Sequence, residues 1–278
     1  MVALPVDLPG CFERGIALTY CLGIVVRDGL VMIADTRTNA GLDNIATFKK
    51  LHVFEERGDR VVALATAGNL SISQSVLTLI SEGFDANGDG TIQTINTVPS
   101  MFRAAQLVGQ AIREVRRVDG ESLEQSGGFE VQMLLGGQVR DGRLRLFQIY
   151  NAGNFIEATI DTPYLQIGEH KYGKPILDRA VRHDTNLYEA LKIGLISMDS
   201  TMRSNLGVGM PIDLMVLRMN ALETDLNYRI QEGEPYFTDL RRRWSEALRE
   251  AHQDIPQPPY FDESPSPAES GLRKAAKS

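Results

Sequence analysis

The chain has 278 residues, 43% hydrophobic and 23% charged, and a net charge of −7. This suits one sizeable core-forming domain with a tail rather than a string of small modules. Lys and Arg never gather into a long run, no stretch approaches the ~20 apolar residues that span a bilayer, and Cys11 and Cys21 are too few for a disulfide framework, so nucleic acid, membrane and disulfide-scaffold classes are set aside.

Positions 1–18 contain Pro5, Asp7, Pro9 and Glu13 without a basic start before their apolar residues. They do not read as a secretory signal, and the cytoplasm is the expected compartment. Two β-type runs at 20–27 and 30–35 flank Asp28-Gly29, a hairpin signal, and the pattern repeats at 50–55 and 60–66 around Arg57-Gly58-Asp59. Helical spacing follows: Ile72, Val76, Leu79 and Ile80 make one apolar stripe, and after Pro99 the residues from Phe102 to Val115 make a longer one. Strands return at 129–136, 144–150 and 155–159 as a second sheet. Helical patterns then cover 176–181 and 188–202, with Thr185 as cap of the latter, and 212–218 is the closing strand. Strands, two helices, strands, two helices and a strand bury all their apolar faces in an α+β, four-layer αββα sandwich. After an amphipathic piece at 236–251, the Pro/Ser-rich run from about 253 is expected to be disordered. The resulting division is an extension at 1–18, a domain at 19–252 and a tail at 253–278.

The chemistry is concentrated in Thr19, Asp35 and Lys50. An N-terminal threonine carries a nucleophilic hydroxyl and, in its own α-amine, a base whose reference pKa is roughly 7.7–8.0, so no histidine is needed. Lys50 as an ammonium would favour the ionised hydroxyl and the neutral amine, and Asp35 would hold that ammonium. Gly68, where the fourth strand meets the first helix, is the candidate oxyanion donor because glycine permits close backbone approach. Cys21 reads better as a small buried strand residue than as a nucleophile.

Taken in order, Thr19, Ala34-Asp35-Thr36-Arg37, Lys49-Lys50-Leu51 and Ala67-Gly68 resemble proteasome-type β subunits, members of the N-terminal nucleophile hydrolases. Thr19-Tyr20-Cys21-Leu22-Gly23, Asp35 through Gly41, Thr47 through Phe54, and Ser197 through Leu206 followed by Pro211-Ile212-Asp213-Leu214 are most similar to the bacterial Anbu (ancestral β subunit) family. The resemblance covers positions 19–218. It implies the αββα fold, Thr19 as nucleophile and base, Asp35 as partner and Lys50 rather than Lys49 as the active lysine. It also implies a threonine peptidase, working without cofactor or metal on peptides or unfolded protein inside a homo-oligomeric ring or ring-like assembly. No feature identifies an ATPase partner. A small-amide amidohydrolase using the same site and a catalytically silent scaffold stay open, and a compact heat-shock peptidase partnered to an unfoldase is the nearest rival family.

The chain departs from the proteasome pattern in three places. The segment expected to supply an aspartate and a serine reads Ser204-Asn205-Leu206-Gly207-Val208-Gly209, and a further expected serine is Asn154. Leu18 stands where a small glycine usually precedes a self-processing threonine. Positions 1–18 are therefore either a propeptide or an over-extended gene start with Leu18 at an alternative start codon, the second being favoured. His52, His170, His183 and His252 lack metal-ligand spacing, and the tyrosines and Trp244 suit packing. Asp85-Ala86-Asn87-Gly88-Asp89-Gly90-Thr91-Ile92 matches the first half of an EF-hand loop, but Asn96 stands where the bidentate glutamate belongs, so an acidic interhelix loop is the preferred reading.

Overall fold

β1 (Tyr20–Val26) and β2 (Gly29–Asp35) are joined by a two-residue turn, Arg27-Asp28. Gly29, expected in that turn, already pairs with Val26, and a side chain there would run into the Leu217 carbonyl. The computed structural model describes residues 19–39, 45–126 and 128–260. The 1–18 segment with Cys11, positions 40 and 41 at the end of the Asp35 motif, and the tail from 261 lie outside them.

A short ribbon of β3 (Arg37–Asn39) and β4 (Ile45–Thr47) precedes the hairpin of β5 (Leu51–Glu56) and β6 (Arg60–Gly68). Then come α1 (Leu70–Glu82), the small pair β7 (Phe84–Asp85) and β8 (Ile92–Gln93), and α2 (Met101–Ser126). The second half runs β9 (Val131–Val139), β10 (Arg145–Ile149), β11 (Phe155–Glu157), β12 (Tyr164–Gly168), α3 (Lys174–Ala180), α4 (Leu187–Ser204), β13 (Ile212–Arg218), β14 (Leu226–Ile230) and α5 (Pro235–Asp254). Among the described residues, those up to Thr238 form one compact unit and those from Asp239 a second, the boundary falling inside α5.

Two five-stranded antiparallel sheets result, ordered β12-β1-β2-β13-β14 and β11-β10-β9-β6-β5. The first four long strands therefore do not share a sheet, as chain order suggested: each opening hairpin is completed by strands from the second half. Both faces of β1, β2 and β6 are buried along almost their whole length, which explains their continuous apolar runs. Leu30, Met32 and Ala34 join Val61, Ala63, Ala65 and Ala67 in the core between the sheets. Val62 and Leu64 face the other way, into a core with Ile72, Val76 and Ile80 of α1 and Ala104, Val108 and Ile112 of α2. On the opposite side α4 lays Gly194 against Leu22, Ile24 and Ile33. The layers are thus α1/α2, sheet, sheet, α3/α4, the expected αββα stack.

Some local expectations need correction. β12 and β14 are edge strands of five residues whose patterns, Tyr-Leu-Gln-Ile-Gly and Leu-Asn-Tyr-Arg-Ile, are too short or too polar to stand out. Asn186, not Thr185, caps α4, accepting from the Tyr188 and Glu189 amides at 3.0 and 3.4 Å, while the Thr185 hydroxyl accepts from the Arg182 amide. α5 extends the amphipathic piece expected at 236–251 to Pro235–Asp254. Among the described residues no helix is long and apolar enough to cross a membrane.

Replacing wholly buried Ile80 by Ala should lower stability by about 2–5 kcal/mol, read from urea unfolding, because the α1 stripe anchors the outer helix layer.

Candidate active site

Strand register brings one end of each sheet together. Tyr20, at the start of β1, lies opposite Gly168 at the end of β12, and one step along, Cys21 pairs with Ala34, so Tyr20 meets Asp35 at the end of β2. Ile212, at the start of β13, pairs with Asp35 from the other side. In the second sheet the Thr66 amide donates to the Lys50 carbonyl at 3.0 Å, which sets the start of β5 beside the end of β6. Cys21 Sγ contacts the Thr66 carbonyl at 3.6 Å and links the two sheets.

Thr19, Asp35 and Lys50 are all buried, at 3%, 0% and 5% exposure. Lys50 Nζ donates to Asp35 Oδ1 at 2.9 Å and to the Arg37 carbonyl at 2.5 Å. The same Asp35 Oδ1 accepts from the Tyr20 amide at 3.0 Å, so one oxygen joins the lysine to the peptide unit that begins at the Thr19 carbonyl. Asp35 Oδ2 accepts from the Gly209 amide at 3.3 Å. Burial pushes the Asp35 carboxyl upward, and Lys50 with the two amides opposes that push. Lys49 is exposed and turns away to a groove lined by His52, Phe54, Leu77 and Ser81, so only Lys50 reaches the carboxylate.

The carbonyl of Thr19 accepts from the Glu169 amide at 2.7 Å. Gly168 makes this possible: its φ is +78°, and a Cβ there would lie 1.9 Å from that carbonyl oxygen. Gly68 ends β6 at φ +101°, where a Cβ would meet the Glu130 carbonyl at 2.5 Å. Asn69 follows it as N-cap of α1, so Gly68 sits at the strand-to-helix junction named from sequence, at the β6 end that also touches Lys50 and Cys21.

The segment beyond α4 does reach the site, but through its backbone. Ser204 is exposed, and Asn205 turns its side chain to the Gly207 amide. Gly209 supplies the contact with Asp35, with the Arg37 guanidinium stacked on it and donating to the Leu206 carbonyl at 3.0 Å. Asn154 is exposed in a hairpin whose Gly153 packs on Gly109 of α2. The Gly209 and Glu169 amides and the Arg37 carbonyl were not identified from sequence, because any residue carries such groups. The glycines at 207 and 209 were the available signal.

Burial pushes the Cys21 thiol far up, which suits a packing residue. Among the described residues no group of three or more His, Cys, Asp or Glu is placed to hold a metal ion. In the acidic loop the Asp85 carboxylate accepts from the amides of Gly88, Asp89 and Gly90.

The solved structures make the comparison. Anbu from Yersinia bercovieri is 44% identical, the match covering 87% of this chain and 100% of that one at a TM-score of 0.80. The chain belongs to the Anbu family. Anbu from Hyphomicrobium sp. strain MC1 is 49% identical over 88% of this chain and 100% of its own, at 0.79. A helical assembly of the Anbu complex from Pseudomonas aeruginosa matches at 45% identity, 87% and 99% coverage and 0.80. Family models and curated proteins give no match. Anbu membership agrees with the αββα layering and with the resemblance carried by the Thr19, Asp35 and Lys50 segments.

Asp35→Ala should destabilise the protein by about 3–5 kcal/mol in urea unfolding, because it leaves a buried ammonium without its partner. Adding Lys50→Met to that variant should recover most of the loss.

Proposed function

We propose that this chain is a threonine-type peptidase in which Thr19 supplies both nucleophile and base. The observation that carries the reading is Asp35 Oδ1, shared between the Tyr20 amide and Lys50 Nζ, which ties the lysine to the backbone of Thr19. The free amine of Thr19 takes the proton from Oγ1 as that oxygen attacks the substrate carbonyl carbon. The resulting oxyanion is held by the Gly68 N–H, and the Lys50 ammonium, paired with Asp35, stabilises the developing charge. Collapse expels the amine half of the substrate with the proton returned from the Thr19 ammonium and leaves an ester on Oγ1. Water, deprotonated by the same amine, then hydrolyses the ester and restores the threonine.

The chain acts in the cytoplasm on peptides or unfolded segments, as a self-assembled oligomer. Support for self-assembly comes from the P. aeruginosa relative, whose structure is a helical assembly. The mechanism requires residues 1–18 to be absent from the working enzyme, by processing or by initiation at Leu18 followed by removal of the initiator methionine.

Intact mass of protein expressed from its native locus should show a chain beginning at Thr19, and one retaining Met1 overturns the mechanism. A peptide epoxyketone, which needs both Oγ1 and a free α-amine, should add one inhibitor per chain. Thr19→Ala should abolish labelling, and Lys50→Ala should slow it by about 100-fold or more.

A further inference from the structure

The side chain of Tyr20 takes no part in the chemistry above, yet it is wholly buried in a run of polar contacts. Its hydroxyl lies 2.8 Å from Ser197 Oγ and accepts from Gln166 Nε2, while Ser197 Oγ donates to the Gly173 carbonyl at 3.0 Å. These partners leave one proton arrangement. With the Ser197 hydrogen committed to Gly173, the phenol must donate to Ser197, and the run is Gln166 to Tyr20 to Ser197 to Gly173. The four residues come from β12, β1, α4 and the turn before α3. Gly173 is closed tightly over the phenol: a Cβ there would lie 2.4 Å from both Tyr20 Oη and Ser197 Oγ.

A phenylalanine would fill the same space without a hydroxyl to satisfy, so packing alone does not call for tyrosine here. Its location suggests another use. The Thr19–Tyr20 peptide is gripped at its carbonyl by the Glu169 amide and at its N–H by Asp35. Those contacts fix the peptide plane, and anchoring the phenol fixes the direction in which the chain leaves Tyr20. Together they determine where the Cα of Thr19 stands. Burial also pushes the phenol's ionisation far up, so it remains a neutral donor.

We propose that the Gln166–Tyr20–Ser197–Gly173 run is a positioning lock for the nucleophile, with Tyr20 and Ser197 as positioning residues that hold Thr19 in attacking geometry from the α3/α4 side. The proposal rests on the reading of Thr19 as nucleophile.

Tyr20→Phe and Ser197→Ala, alone and combined, are compared with wild type in the full chain by saturation kinetics of epoxyketone labelling and by amide hydrogen exchange. In both single variants the maximal labelling rate should fall about tenfold with half-saturation within about twofold. The double variant should be no slower than the worse single one, since both break the same run. Exchange of the position-20 amide should rise about tenfold relative to amides of β9. Unchanged maximal rates, or additive losses, overturn the lock. If wild type itself is not labelled, the peptidase reading fails and exchange alone judges the lock: a faster position-20 amide supports it, and an unchanged one overturns it.

Discussion

A carboxylate taken out of water must be surrounded by donors, and Asp35 finds them on three separate parts of the chain: the Tyr20 amide on β1, Lys50 just before β5, and Gly209 in the loop before β13. Burying that charge alone would cost several kcal/mol, so the three segments cannot drift apart independently. The requirement ties one sheet to the other at a single edge. It also ties the loop after α4 to Thr19, through the peptide that follows it. The Arg37 guanidinium lies over Gly209, and its own carbonyl receives Lys50, so one residue braces two of the three donors.

The sandwich behind this edge allows such close assembly because small residues on β6 and β9 face large ones on β2. Ala63, Ala65 and Ala67 of β6 share a core with Leu30 and Met32 of β2, and Gly136 of β9 lies directly against those two, so the sheets approach without large side chains at every position. A core of this kind resists local rearrangement, which suits a site whose groups are mostly backbone amides in fixed strands and turns.

Much of this was legible in the chain. Leu22 to Val26 and Leu30 to Ala34 are apolar on both faces, which is what a central strand between two layers requires, and Ile72, Val76 and Ile80 mark the buried side of a helix. The order of Thr19, Asp35 and Lys50 was readable because each contributes a distinctive side chain. The sequence points to Thr185 as cap where Asn186 serves, because adjacent residues of similar capping power differ only in the exact path of the turn. β12 and β14 were missed because edge strands of five residues borrow their stability from a neighbour rather than from their own pattern.

The sequence alone determined the nature of the layers, the candidate nucleophile with its acid and lysine, and family membership, since these depend on residue type and on spacing along the chain. The tertiary structure decided which sheet each opening hairpin joined, and that Gly209 rather than Ser204 or Asn205 completed the carboxylate's shell. It also placed Ser197 against Tyr20, a pair 177 positions apart. The physical reason is the same throughout: backbone amides look alike in every residue, and contacts across such separations are selected by the packing of the whole core, not by any local pattern.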